Sequence, residues 1–426
     1  MRKLPPWLID QSETLLNELL KFTGPADVVT SRFFRSQPKL GHAERGFIAE
    51  AVFAVLRRKL EFAHLAESGS NRPTRRLALL GLMQTVGRQT LLPSVSAAEV
   101  EWLERVAKID PASLPPRIQM NLPEWLEAAL SEQLSGKGFS ADEYKHLATV
   151  LNYPATLDLR VNPLKASRDE VIATLAEAGI EAQATPFAPF GVRVTGKPAL
   201  NRLLAFEQGH FEVQDEGSQL LCHLVAPKRG EMVVDFCAGA GGKTLALGAL
   251  MRSTGRLYAF DVADRRLAKL KPRLAKSGLS NVHPVLLDSE HDSKIKRLAG
   301  KIDRVLIDAP CSGLGTLRRN PDLKWRHTPA SVAELALKQA SILASAARLV
   351  KPGGRLIYAT CSLLAAENEA VVEAFLAAHP GFELIPASGV FAGQHIDLDT
   401  GDYLSLWPHR HMTDGFFAAV LERRVE

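Results

Sequence analysis

The second half of the chain alternates between short apolar runs and helical stretches, and this pattern constrains the fold more than any other feature. Runs that read as strands are 232–236, 256–262, 282–288, 304–308 and 355–360. The stretches between and after them, 244–251, 263–276, 330–349 and 365–377, read as helices. Strands and helices alternating at this spacing form βαβ units, which predict a parallel, doubly wound sheet. Such a sheet binds its ligand at the carboxyl ends of its strands. Four of the runs finish on or beside an aspartate, at Asp235, Asp261, Asp288 and Asp308. The ligand is therefore expected to meet a row of carboxylates.

The first half reads differently. Residues 1–115 show helical periodicity, with Phe47, Ile48, Val52, Val55 and Leu56 on one stripe of a helix over 44–60, and a second short apolar helix over 75–86. Prolines at 111, 115, 116 and 123 punctuate the chain and mark a boundary. Between 120 and 214 a small α/β piece is expected. It has strands at 157–161 and 192–194 and a helix that starts behind Ser167 and stops before Gly179. Three pieces, 1–115, 120–214 and 215–426, fit a length of 426 residues at roughly 150 residues per domain.

Composition excludes more than it assigns. Apolar residues make up 46% and charged residues 23%, ordinary globular values that rule out disordered and fibrous chains. No 18-residue apolar run is present and the N-terminus lacks the apolar stretch of a signal peptide, so no membrane association is expected. The four cysteines, Cys222, Cys237, Cys311 and Cys361, are too few for a disulfide scaffold, and none has zinc-ligand spacing. A reducing cytoplasmic setting, no metal and a monomer are the expectations. His409 and His411 form an H-x-H pair without a third ligand, a weak metal signal, and are expected in a loop over the site. The net charge of +5 is mild, but residues 1–100 hold 14 Lys/Arg against 9 Asp/Glu, so an excess equal to the total lies in the first piece.

After the first Asp-ended strand comes a glycine-rich loop, Cys237-Ala238-Gly239-Ala240-Gly241-Gly242-Lys243-Thr244. It fits the end of a P-loop but lacks that motif's first glycine. It fits the start of a dinucleotide fingerprint but lacks its last. Neither a nucleoside triphosphatase nor a dehydrogenase is supported. Asp261, 26 positions beyond Asp235, suits a carboxylate that accepts from ribose hydroxyls, and Asp288 could accept from an adenine amino group. A nucleoside without a pyrophosphate, such as S-adenosylmethionine, meets these requirements.

Two cysteines follow strands directly, Cys311 in Asp308-Ala-Pro-Cys-Ser-Gly and Cys361 in Thr360-Cys-Ser. Neighbouring parallel strands would bring both to the edge that carries the glycine loop. Cys222 lies inside an apolar run and reads as packing, the common fate of a lone cysteine, and Cys237 reads as a loop residue whose backbone faces the cofactor. Two thiols beside a methyl donor suit cytosine C5, which is too poor a nucleophile until a thiolate adds at C6. The second thiol would assist release, and Asp308 would stabilise charge at N3. Lys243 is the candidate cation to lower a thiol pKa and orient Asp308. Chemistry alone leaves open which cysteine attacks.

The segments VQDEGSQL (213–220), DFCAGAGGKT (235–244), DAPCSGLGTLRRNPDLKW (308–325), PGGRLIYATCS (352–362) and DGFF (414–417) resemble the Nop2/Sun family of RNA cytosine-C5 methyltransferases. The resemblance implies a Rossmann-like catalytic domain that uses S-adenosylmethionine, with Cys361 as nucleophile and Cys311 aiding release. The usual family loop reads C-A-A-P-G-G-K-T, where this chain has Gly239 and Ala240. Residues 35–57 are similar to the helical, NusB-like N-terminal domain of bacterial Sun/Fmu (RsmB) enzymes, which methylate small-subunit ribosomal RNA. Residues 159–167 resemble the small α/β, RRM-like RNA-binding region of the family. The implied activity is cytosine-C5 methylation of RNA, with 16S rRNA as substrate. The rivals are the same chemistry on tRNA and an inactive RNA-binding assembly factor. Arg318, Arg319, Lys324 and Arg326 surround Trp325 and are candidates to hold phosphates, with Trp325 stacking on a base or packing inward. Lys269, Lys271, Arg273 and Lys276 read as a solvated helix face.

Overall fold

A computed structural model describes residues 4–425. The chain forms two compact units. One comprises residues 1–154 with 316–328, the other 155–315 with 329–426.

The first unit is helical. Its core comes from helices at Pro6–Leu19, Ala26–Ser36, His42–Arg57, Lys59–Ala66, Pro73–Val86 and Ala97–Val106. Ser96 caps the last of these with a reciprocal capping box to Glu99, which satisfies two otherwise orphaned amides. Ile48, Val52, Val55 and Leu56 are buried, but Phe47 is 43% exposed. One residue back along a helix is a rotation of about 100°, so Phe47 lies off the stripe that its neighbour occupies. Helices at Pro116–Met120, Glu124–Gly136 and Ala141–Leu151 also belong to this unit. The first strand of the small α/β piece expected over 120–214 is at Leu157.

The second unit holds two sheets. The small one pairs β1 (Leu157–Val161), β2 (Ala182–Ala184), β3 (Gly191–Val194) and β4 (Phe211–Val213) antiparallel in the order β2-β3-β1-β4. Ser167 caps the intervening helix, Arg168–Glu177. The large sheet contains β5 (Met232–Asp235), β6 (Arg256–Asp261), β7 (Val282–Leu286), β8 (Ile302–Asp308), β9 (Val350–Thr360), β10 (Phe382–Ile385), β11 (Leu404–Leu406) and β12 (Phe416–Arg423). Its order is β10-β12-β9-β8-β5-β6-β7, with β11 on β12. The run from β9 through β8, β5 and β6 to β7 is parallel, as the βα alternation requires. β12 enters antiparallel between β9 and β10, an element the sequence pattern did not announce. Its first six residues, Phe416–Leu421, are all buried and apolar, so they lack the period-two signature of a half-exposed strand.

The sheet sorts side chains by alternation. Ile357 and Ala359 of β9 join one core layer, Leu356 and Tyr358 the other. Some expected elements end early or divide. β7 stops at Leu286, two residues before Asp288; it is the edge strand, where Pro284 is tolerated. The helix expected over 263–276 is two, Asp264–Leu267 and Leu270–Ser277, because Pro272 has no amide to bond the carbonyl of Ala268.

Candidate functional site

Strand order reverses between β5 and β8, and that switch point is where an open parallel sheet leaves a crevice. A cavity of about 640 Å³ opens there, lined by the glycine loop, Asp261, Asp288, Asp308, Cys311 and Cys361. The second unit therefore brings together all the cofactor-loop and catalytic candidates of the sequence.

The loop is shaped by its glycines. Gly241 adopts φ +82°, and a Cβ there would collide with Leu270. Cys237 and Ala238 also line the cavity, as do Gly239, Ala240, Gly242 and Lys243. Asp261 is 8% exposed, and its two oxygens accept from the amides of Gly239 and Ala263 at 2.7 Å each. Each oxygen keeps a second lone pair, which suits two vicinal hydroxyls. Val262, 62% exposed, and the buried Leu287 provide apolar walls for a flat ring. The cavity size, these walls and the paired acceptors fit a nucleoside cofactor.

Sequence reasoning missed what steadies the loop. Arg273, read as part of a solvated face, donates to the Ala240 carbonyl at 2.6 Å and pairs with Glu212 at 3.1 Å. Arg160 on β1 donates to the Gly242 carbonyl at 2.6 Å. Gln214, Ser218, Glu290 and Lys338 also line the cavity. Glu290 bonds Lys338 at 2.6 Å and Ser341 at 2.8 Å; although burial opposes it, these bonds hold the Glu290 carboxyl down at about 2. Gln214 and Ser218 lie in the quoted 213–220 segment, which was the available signal.

Asp235 is fully buried and ends β5. Burial and the charge of Asp308 raise its carboxyl to about 7, against the pull of the hydrogen bond from Thr244 at 2.6 Å. Asp308 accepts from Lys243 Nζ at 2.6 Å. Burial pulls the Lys243 ammonium down, but the charge and hydrogen bond of Asp308 overcome this and raise it. Lys243 also lies 5.6 Å over the Phe416 ring.

The two thiols meet for a reason of register. Asp308 on β8 pairs with Ala359 on β9, so Cys311 and Cys361 follow three and two residues beyond the paired positions. Their Sγ atoms are 3.3 Å apart. Gly315 donates to the Cys361 carbonyl at 2.8 Å, and a side chain on Gly315 would strike the Gly415 carbonyl. Lys243 pulls the Cys361 thiol down, as expected, but it is outweighed. The thiol's hydrogen bond with Cys311, burial and the charge of Asp308 push it well above its usual range, and Lys243, engaged by Asp308, does not offset them. Cys222 is buried as expected, and burial takes its thiol up to about 12.

The reading of the basic cluster after Cys311 is corrected. Lys324 is 1% exposed, and its Nζ donates to the Arg57 carbonyl at 2.8 Å and to Asn152 at 3.1 Å. Trp325 Nε1 donates to the Leu56 carbonyl at 2.7 Å, so it packs inward. Arg318 is buried, with Nη2 on the Pro154 carbonyl at 3.1 Å, and Arg326 pairs with Asp322 at 3.3 Å. The half-buried Arg319 sits in the same segment. A short segment with this many inward contacts is an internal tie of the helical unit, and Lys324 and Arg318 are not free to hold phosphates. His409 and His411 do not line the cavity; His411 Nδ1 accepts from the Trp407 amide at 2.9 Å. Among the described residues no group of three or more His, Cys, Asp or Glu could hold a metal ion, and no helix is long and apolar enough to cross a membrane.

Comparisons with known proteins agree with this architecture. Residues 222–422 match the family described as 16S rRNA methyltransferase RsmB/F, and residues 122–201 match the ferredoxin-like domain of RsmF/B-like methyltransferases. A probable ribosomal RNA small subunit methyltransferase B of Synechocystis sp. is 34% identical, over 96% of this chain and 98% of the relative. Its counterpart in Bacillus subtilis is 29% identical over 98% and 96%. The solved structure of a methyltransferase homologue from Pyrococcus horikoshii is 28% identical with a TM-score of 0.61, covering 74% of this chain and all of that one. The chain thus belongs to the RsmB/F (Sun/Fmu) family of 16S rRNA methyltransferases.

Proposed function

We propose that this protein transfers a methyl group from S-adenosylmethionine to C5 of a cytosine in small-subunit ribosomal RNA, through a covalent adduct between Cys361 and C6. The observation that carries the reading is the pair of thiols 3.3 Å apart beside the Lys243–Asp308 ion pair, in the cavity at the sheet's switch point. Asp261, Asp288 and the glycine loop would hold the cofactor, whose sulfonium supplies an electrophilic methyl. A cytosine has to leave any stack to reach this cavity. Cys361, once deprotonated, adds to C6, and the C5–C6 π electrons move to C5, which takes the methyl. Lys243, and Asp308 once it carries a proton as an acid, stabilise the negative charge that develops toward N3. A base then takes the C5 proton, the C5–H electron pair re-forms the C5–C6 double bond, and the C6–S bond breaks with Cys361 leaving as its thiolate. Cys311, in contact with that sulfur, assists this last phase.

Radiolabelled S-adenosylmethionine with 16S rRNA, naked or as assembling subunits, should yield 5-methylcytosine; methyl on a ribose or an adenine would sink the reading. Cys311→Ala should accumulate a covalent RNA adduct on denaturing gels and Cys361→Ala should form none, whereas the reverse pattern would exchange the two roles. Methylation of tRNA alone would move the substrate without moving the chemistry.

A further inference from the structure

Glu367 was singled out by no sequence motif. It lies in the short turn Ala365–Glu367 after β9 and is fully buried. Its Oε1 accepts from the Ser312 amide at 2.8 Å and from Gln339 Nε2 at 3.0 Å. Its Oε2 accepts from the hydroxyls of both Ser312 and Ser362. Ser312 follows Cys311 and Ser362 follows Cys361, so one carboxylate grips the residue after each thiol. Gln339 extends the grip by donating to the Pro310 carbonyl at 3.0 Å, on the other side of Cys311. Asn368, next in sequence, donates to the Ser362 carbonyl at 3.1 Å.

All four donors to Glu367 are neutral. A buried carboxylate is costly unless its oxygens are fully hydrogen-bonded, so its presence turns on what those oxygens hold. What the carboxylate supplies is reach. Its two oxygens offer about four acceptor sites on one rigid plane, and four donors from the two cysteine loops and Gln339 occupy them. Beyond Asp308 and Ala359 the β8–β9 ladder has ended, and besides the Gly315 amide on the Cys361 carbonyl it is Glu367 that ties the two loops.

We propose that Glu367 is a positioning residue that holds Cys311 and Cys361 at their working separation. The proposal rests on the two-thiol chemistry above for its catalytic consequence, but the spacing itself can be measured separately. Cross-linking by diamide, which takes two electrons and two protons from the thiol pair, serves as a proximity gauge. In folded Glu367→Ala and Glu367→Asp proteins, intramolecular disulfide formation should slow and kcat should fall about 10–100-fold, the penalty of roughly 1 Å of misplacement. KM for RNA and the thermal shift on adding S-adenosylmethionine should stay as in the wild type. Glu367→Gln keeps one oxygen for the Ser312 amide and Gln339, and the serine hydroxyls can turn to accept from its amide. It should recover most of both rates. If Glu367→Ala does not fold, Glu367→Asp and Glu367→Gln decide. A folded Glu367→Asp with wild-type cross-linking and kcat would overturn the proposal, as would a Glu367→Gln that loses kcat while its thiols still cross-link normally. A wild type that cross-links readily but never methylates cytosine would reject the chemistry and leave the clamp standing.

Discussion

Cys361 is held as a neutral thiol in the free protein. Its hydrogen bond with Cys311, its burial and the charge of Asp308 all disfavour the thiolate, and the Lys243 ammonium spends its charge on Asp308 2.6 Å away. A reactive cysteine elsewhere gains its nucleophilicity from a depressed pKa; here the thiolate has to form with the substrate seated. The raised pKa fixes the sign of a test. Alkylation of Cys361 by iodoacetamide, followed by mass spectrometry, should be slow at pH 7 and still accelerating above pH 9. Asp308→Asn removes a charge that raises the thiol and should speed labelling at pH 8, whereas Lys243→Met removes the charge that lowers it and should slow labelling. A labelling rate that levels off near neutral pH in the wild type would refute this account. The cysteines, Lys243 and Asp308 were legible in the sequence because strand ends and motif spacing are local. The balance of charges among them was not, because it depends on distances between residues far apart in sequence, 50 positions for Cys311 and Cys361 and 65 for Lys243 and Asp308.

At the scale of elements, the glycine loop illustrates how a local signal is completed from a distance. Its glycines allow the turn, but its carbonyls are held by Arg273 from a helix and Arg160 from β1. Where the usual family loop has a proline this chain has Ala240, and the carbonyl of that residue is the one Arg273 holds. Arg273→Ala should free the loop. The expected result is weaker S-adenosylmethionine binding by calorimetry, by about tenfold, the loss of one charge-assisted hydrogen bond of about 1.5–3 kcal/mol set against partial replacement by water. Unchanged affinity would mean that the loop is rigid without it. The same limitation explains β12. Its fully buried apolar run reads equally as helix or strand, and only pairing with β9 and β10 selects the strand.

At the scale of the whole molecule, the segment 316–328 is distant in sequence from the helical unit yet part of it. Lys324 is its most buried cation. Burial, with the charges of Arg57 and Lys59, lowers its ammonium to about 7. The unfolded chain keeps the usual lysine value of about 10.4, so between pH 7 and 10 the unfolded state binds more protons and this group makes folding more favourable as pH rises. Below pH 7 both states are charged and the desolvation cost is fully present. Lys324→Met should therefore change stability in a pH-dependent way. Its melting temperature relative to wild type should be most favourable near pH 6 and should lose ground, by on the order of 1–3 kcal/mol, toward pH 9. A difference that is flat with pH would remove the buried ammonium from the account.

Sequence by itself determined what is local. The βα alternation, the strand-end aspartates, the glycine loop and the two cysteine loops each follow from residue types at short spacing, where backbone geometry leaves few choices. Tertiary structure alone decided which of those residues meet and which basic groups stay available. It joined Cys311 to Cys361 through strand register, set Glu367 between their loops, and turned Lys324 and Arg318 inward. Charge in a sequence is a count, but its function depends on whether water or a carbonyl surrounds it, and burial is a property that only the packed chain possesses.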